Sequence, residues 1–120
     1  MVAAKAGHHY ALRTGSANID SLMEEQSLER LRDEIPKTTR DTIGICTQIG
    51  ILFLWVDALC IIQDGSDSKH CDIQAMSGIY ANAHVTIIAA NGCDANHGLR
   101  GIPGVTDARQ LPALGVFRFC

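Results

Sequence analysis

The chain has 120 residues, a length typical of one domain, and 47% of them are hydrophobic, as in ordinary globular proteins. Its net charge is −3 and its basic residues are interleaved with acidic ones, which argues against a nucleic-acid partner. The sequence has no secretory signal and no stretch of the roughly 18 apolar residues that a membrane span needs. Five cysteines without a CxxC pair fit free thiols in a reducing compartment, so we predict a cytoplasmic protein with no membrane association.

The first half of the chain predicts an irregular arm followed by helices. Residues 1–16 form the arm, and short helical turns are predicted near residues 19–23 and from Ser27 onward. Pro36 suits the first turn of a longer helix, from about residue 37 to 48, because a helix start does not need its missing N–H. The apolar positions predicted to form the buried stripe of this helix are Ile43, Cys46 and Ile49.

Two apolar runs in the second half predict strands. Residues 51–56 are continuously apolar rather than alternating, which is typical of a strand buried on both faces in a parallel sheet, and residues 84–90 predict a second buried strand. With the helical pattern between them they predict a right-handed parallel βαβ unit. The stripe of that helix comprises Ile73, Met76, Ile79, Tyr80 and Ala83. The predicted core includes Trp55, Ile61, Ile79, Ile87 and Ile88.

Three segments carry recognisable motifs. The run LWVDALCIIQD, from Leu54 to Asp64, contains Trp-x-Asp and then Cys-Ile-x-Gln-Asp, and IYANAHVTIIAANG spans Ile79 to Gly92. A Pro-Lys-Thr-x-Arg-Asp segment precedes them at residues 36–41. In this combination and order the segments resemble the HET domain, the fungal heterokaryon-incompatibility module. The matching residues of the two later blocks are Trp55, Asp57, Cys60, Ile61, Gln63, Asp64, Met76, Ile79, Tyr80, Ala83, Thr86, Ile87 and Ala89.

The resemblance implies an α/β fold. It predicts a partial Rossmann-like domain, similar to Toll/interleukin-receptor (TIR) domains, with a mainly parallel sheet flanked by helices. Residues 17–100 would form this partial HET domain, followed by an irregular tail at residues 101–120. The Ser-Tyr-x-Trp-Gly part of the family's first strand block is missing after residues 10–12. We therefore expect residues 1–16 to hold only a remnant of the first strand.

The resemblance also implies a function in fungal nonself recognition. In that role the chain is a death effector: it triggers programmed cell death through association with protein partners, self-association included. Two alternatives remain open, a TIR-like hydrolase that cleaves NAD and an inactive truncated copy. The TIR enzymes use a helical glutamate, and the position that corresponds by spacing here is Asp72. Phosphate-binding glycine loops and zinc spacings are both absent, so we predict no cofactor and no metal.

Polar residues after the first predicted strand are the best site candidates. In open parallel sheets ligands bind outside the carboxyl ends of strands, which makes Asp57 and Asp64 candidate catalytic residues and Gln63 and Asp64 candidate ligand-binding residues. Asp72 joins the catalytic candidates, because near the start of the next helix the dipole would keep its carboxylate ionised. The alternative is that these side chains cap helices and fix the loop through backbone hydrogen bonds. For Cys60 a buried structural thiol is favoured over a nucleophile.

Overall fold

Helices and short strands alternate in the computed structural model, which describes the backbone of residues 2–4, 11–90, 92 and 94–108 and, outside 2–4 and 66–70, their side chains. The described elements are β1 (Val2–Ala4), α1 (Ile19–Met23), α2 (Ser27–Arg30), a 3-10 turn (Arg32–Glu34), α3 (Lys37–Ile49), β2 (Leu54–Val56), α4 (Asp57–Cys60), α5 (Ser66–Asn82) and β3 (Val85–Ile87). The prediction of a domain that mixes helices and strands is confirmed. Strands this short do not by themselves establish a Rossmann-like sheet.

The strand β1 lies between the other two strands. Its backbone pairs in parallel with β2 and with β3, so that Ala3 is opposite both Trp55 and Thr86. The strand lies within residues 1–16, the segment expected to hold a remnant of the first strand. Tyr10 lies outside the described residues, and Leu12 is not in a strand: its N–H donates to the carbonyl oxygen of Glu34 at 3.0 Å.

Both later strands are shorter and more exposed than predicted. β2 covers only the last three residues of the run 51–56, and Leu52 and Phe53 before it are largely exposed. Two of the three β3 residues are exposed, and Ile88 after it is 79% exposed. The prediction that β3 is a buried strand is thus wrong. Within the described residues no second layer of structure covers its exposed side chains.

The helix α3 has the bounds that its local sequence predicts, but it buries a different face. Gly50 ends it at φ +72°, a left-handed conformation that glycine adopts without a Cβ penalty. Of the predicted stripe only Cys46 is buried, whereas Ile43 is half-buried and Ile49 is exposed. The buried face is rich in threonine, and the Thr42 hydroxyl donates to the Thr38 carbonyl oxygen at 2.8 Å, which satisfies it inside the helix. The buried residues of α3 are Thr38, Thr39, Asp41, Thr42, Ile45 and Cys46.

Residues 94–108 run alongside α3. The Thr38 N–H donates to the Ala95 carbonyl oxygen at 3.0 Å, and the Gln48 side-chain amide donates to the Pro103 carbonyl oxygen at 3.3 Å. Residues 101–108 contain no helix or strand, yet they are held by hydrogen bonds such as that from the Gly101 N–H to the Asp107 carbonyl oxygen at 2.8 Å. The rest of the predicted tail, residues 109–120, lies outside the described residues.

The described core gathers where β2, α3 and the loop after α4 meet. Val56 and Ile61 are almost fully buried there. Of the predicted core, Ile61 is therefore correct, Ile88 is wrong, and the other members are only half-buried. Those half-buried members are Trp55, Ile79 and Ile87. The buried apolar residues are Leu12, Ile35, Ile45, Cys46, Val56, Ile61 and Ala95.

Candidate functional site

The carboxyl end of β2 leads directly into α4, a short helix that the sequence did not predict. Asp57 is its first residue, and the carboxylate accepts a hydrogen bond from the Ala58 N–H at 2.8 Å. The Asp57 backbone carbonyl oxygen accepts two further bonds, from the Ile61 N–H at 3.2 Å and from the Gln63 side-chain amide at 3.1 Å. Asp57 and Gln63 thus fix the turn that follows the strand through hydrogen bonds to its backbone.

The second and third motif blocks meet in space through an aromatic pair. The rings of Trp55 on β2 and Tyr80 on α5 lie edge to face, with centroids 5.7 Å apart and planes at 78°. This is a favourable geometry for aromatic pairs. Burial, together with the negative charge of Asp57, raises the pKa of Tyr80. The phenol therefore stays protonated at neutral pH and can serve as a hydrogen-bond donor beside the start of α4.

Asp64 is bound to the segment that precedes α1. The Ser16 N–H donates to both carboxylate oxygens at 2.9 and 3.0 Å, and the Ser16 hydroxyl donates to Oδ2 at 2.5 Å. These hydrogen bonds lower the pKa of Asp64, the hydroxyl bond most. A Cβ on Gly15 would lie 3.2 Å from the same oxygen, so a larger residue there would crowd the carboxylate. Asp64 joins two segments 48 residues apart and is exposed.

Asp72 does not lie at a helix N-terminus. α5 begins at Ser66, so Asp72 is six residues further on (66 to 72) and in the second turn. The helix-dipole effect falls off within the first turn, so the expected stabilisation of its charge does not apply. The Asp72 side chain is half-buried and forms no hydrogen bond or ion pair with the part of the chain that the structure describes.

The other motif residues divide between the loop and the α5 face. Gln63 donates its amide to the carbonyl oxygens of Asp57 and Ile61, and its own N–H donates to the Thr14 carbonyl oxygen at 2.8 Å. Cys60 is an exposed free thiol, so the prediction that it is buried is wrong: α4 is only one turn long and turns this side chain outward. Met76, Ile79, Ala83 and Ile87 are half-buried, and Thr86 and Ala89 are exposed.

A polar cluster on α3 was not identified as a site from the sequence. The buried Asp41 carboxylate accepts hydrogen bonds from Lys37 Nζ at 3.0 Å and from the Leu99 N–H at 2.8 Å. Lys37 Nζ also lies 3.4 Å from the Asp107 carboxylate, and the hydrogen bond that Lys37 donates to Asp41 is the main cause of a raised Lys37 pKa. The spacing of Lys37 and Asp41, four apart on a helix, is the signal that could have revealed the pair. The hydrogen bonds and ion pairs of this cluster hold the segment after residue 94 against α3.

The family match follows from these same segments. The sequence profile of heterokaryon incompatibility protein (HET) matches residues 9–114. The chain belongs to the HET family. No curated protein and no solved structure matches it. The match includes the Asp41 cluster and the segment bound to it. It therefore extends beyond residue 100, where the predicted domain ended.

The described residues of this HET protein contain no group of three side chains that could hold a metal ion. None of its described helices is long and apolar enough to cross a membrane. At the end of β2 the chain presents an aromatic pair and a carboxylate engaged in fixing a turn. Such an arrangement can recognise a partner or position a loop.

Proposed function

We propose that this HET protein acts in fungal nonself recognition as a cytoplasmic effector that triggers programmed cell death when its copies or protein partners associate. The observation that carries the proposal is the outer edge of β3. Within the described residues β3 pairs on one side only, with β1, and the apolar side chains of Val85 and of Ile88 just after it are exposed. An unpaired, apolar strand edge is a template for a strand from another chain.

The contacts of the three candidate carboxylates support a function in association more than a function in catalysis. Asp57 and Asp64 each accept backbone N–H bonds that fix local structure. Asp72 is engaged with no described side chain and lies within α5. An NAD-cleaving site needs an ionised group placed against the leaving nicotinamide, and its neighbours must orient that group. The described contacts do not supply this for Asp72, so the hydrolase is kept as the outcome that the experiment below can reveal.

We further propose that the sheet is part of a Rossmann-like, TIR-like fold. The order β2-β1-β3 is that of the first three strands of flavodoxin-like doubly wound sheets. In such a sheet a further parallel strand would pair beside β3. In the proposed effector, that position is filled by a strand from an associating chain.

The test is a charge on the β3 edge, compared with a charge elsewhere. Ile88 is 79% exposed and follows β3, whereas Met23 is 80% exposed on α1. Ile88→Lys should abolish concentration-dependent association in sedimentation experiments and also cell death on expression in a fungal host. Met23→Lys should change neither. If Ile88→Lys abolished association but the variant still killed the host cells, the proposal would be overturned.

The same host separates the enzyme alternative. Cellular NAD is measured alongside viability for the wild type and for Asp72→Asn. The effector predicts killing without NAD loss and no effect of Asp72→Asn in a variant with an unchanged melting profile. NAD loss that disappears in Asp72→Asn would instead identify a hydrolase.

A further inference from the structure

A cleft of about 530 Å³ opens between α2, α3 and the segment that leads into β2. This volume falls in the range of small-molecule sites, roughly 300–1,000 Å³. Its walls are largely apolar and come from separate elements, including Leu22, Leu28, Ile43, Leu54 and Val56. A ligand in this cleft would therefore bury an apolar body.

One wall of the cleft carries an arginine that is not paired with any described carboxylate. Arg40 on α3 lines the cleft, and its Nε is buried without a hydrogen-bond partner in the described part of the chain. A buried N–H without an acceptor is costly, and each such group in a folded protein calls for an explanation. Arg32 also lines the cleft, but its guanidinium is exposed and lies 3.4 Å from the Glu29 carboxylate. Arg40, in contrast to Arg32, forms no ion pair with a side chain that the structure describes.

We propose that this cleft binds an amphiphilic acid, a molecule with one apolar chain and a terminal anionic group. The planar guanidinium donates in a fixed fork that matches two oxygens of a carboxylate or phosphate. An acid placed beside Arg40 would supply an anion for its guanidinium, while the apolar chain lies against the leucine and isoleucine walls. This ligand site is separate from the β3 edge and does not depend on the association proposed above.

The cleft contains its own reporter of occupancy. Cys60 lines it and its thiol is exposed, whereas Cys71 is an exposed thiol on α5 that does not line the cleft. A bound ligand should slow alkylation of Cys60 and leave the alkylation rate of Cys71 unchanged. Digestion and mass spectrometry read both rates in one sample.

The experiment titrates the full chain with decanoate, decyl phosphate and decanol. Decanoate or decyl phosphate should bind with one-to-one stoichiometry by calorimetry and slow Cys60 alkylation at least about fivefold at saturation. Decanol should bind at least about tenfold more weakly, because it has the same chain but no charge. Whichever of the two acids binds more tightly shows whether the cleft prefers a carboxylate or a phosphate ligand. Equal binding of decanol and both acids would overturn the proposal.

Variants test the residues. Arg40→Gln should weaken acid binding at least about tenfold and leave decanol binding unchanged, and Arg40→Lys should recover only part of the loss, since lysine lacks the fork. Arg30→Gln is the matched control, because Arg30 on α2 is exposed and paired with Glu24 at 2.7 Å. Leu28→Trp fills the cleft with Arg40 intact and should block all three compounds, so the proposal remains testable if Arg40 variants unfold. Unchanged acid binding in folded Arg40→Gln or in Leu28→Trp would refute it.

Discussion

The two long helices, α3 and α5, contrast sharply in what they bury. α3 has 13 residues and buries a face rich in threonine. α5 has 17 residues, and none of its described side chains is fully buried. The comparison teaches that the hydrophobic pattern of a helix shows which face could be buried, while neighbouring segments decide which face is.

Several segments of the chain pack against α3. Residues 94–108 lie along it, fastened through Asp41 and Thr38, and the helix also contacts β1 and β2. α5 reaches β2 through the Tyr80–Trp55 pair near its C-terminal end, and Ile73 earlier in the helix remains exposed.

The largest effect should come from a matched pair of isoleucines. Ile45 on α3 is 7% exposed and Ile73 on α5 is 49% exposed. Ile45→Ala should lower the free energy of unfolding by about 2–5 kcal/mol, because it leaves a cavity in the core. Ile73→Ala should cost less than about 1 kcal/mol. Chemical denaturation measures both, and equal losses would mean that a further layer covers α5.

The polar cluster should come next. Asp41→Ala removes the acceptor for the Leu99 N–H and for Lys37, and we expect it to cost about 1.5–3 kcal/mol, as for hydrogen bonds to charged groups. Asp107→Ala removes only a mostly exposed partner of Lys37 and should cost less than about 0.5 kcal/mol. Denaturation curves of the two variants give the difference. Similar curves would show that Asp41 does not anchor the segment after residue 94.

Two glycines should respond in opposite directions. Gly98 lies at φ +78°, and a Cβ there would approach the Asp41 carboxylate to 2.7 Å. Gly98→Ala should therefore destabilise the protein by about 1–2 kcal/mol. Gly78 lies inside α5 with open space around it, so Gly78→Ala should stabilise the protein by roughly 0.5–1 kcal/mol. Thermal melts test the signs, and a destabilising Gly78→Ala would reveal close packing on α5.

The smallest effect concerns the loop ahead of α5. Because the Ser16 hydroxyl bond lowers the pKa of Asp64, Ser16→Ala should raise that pKa part of the way to its ordinary value. The stabilising contribution exists above the ordinary aspartate pKa of about 3.9 and disappears as the pH falls through the lowered pKa. Carboxyl carbon NMR follows the titration. Ser21→Ala is the control, and an equal shift there would exclude the direct hydrogen bond as the cause.

Local sequence signals determined the parts of the fold that depend on consecutive residues. Pro36 and Gly50 mark the ends of α3, since one favours a helix start and the other takes the left-handed conformation that ends it. The motifs around Trp55 and Tyr80 predict the HET family without any knowledge of the contact between them, and the family match confirms it. The sequence also places the polar residues after β2 at the end of a strand. It allows two interpretations of them, a ligand site or a structural role in capping and fixing the loop.

Only the tertiary structure decided which of these groups meet. Asp64 is hydrogen-bonded to Ser16, which lies 48 residues away in the sequence, and Asp41 is hydrogen-bonded to Leu99, 58 residues away. The burial of the threonine face of α3, the exposure of Cys60 and the place of β1 also depend on segments remote in the sequence. Backbone dihedral preferences and helical hydrogen bonds act over about four residues, so consecutive residues can encode them. Burial depends on which distant segments come together, and no local pattern specifies that.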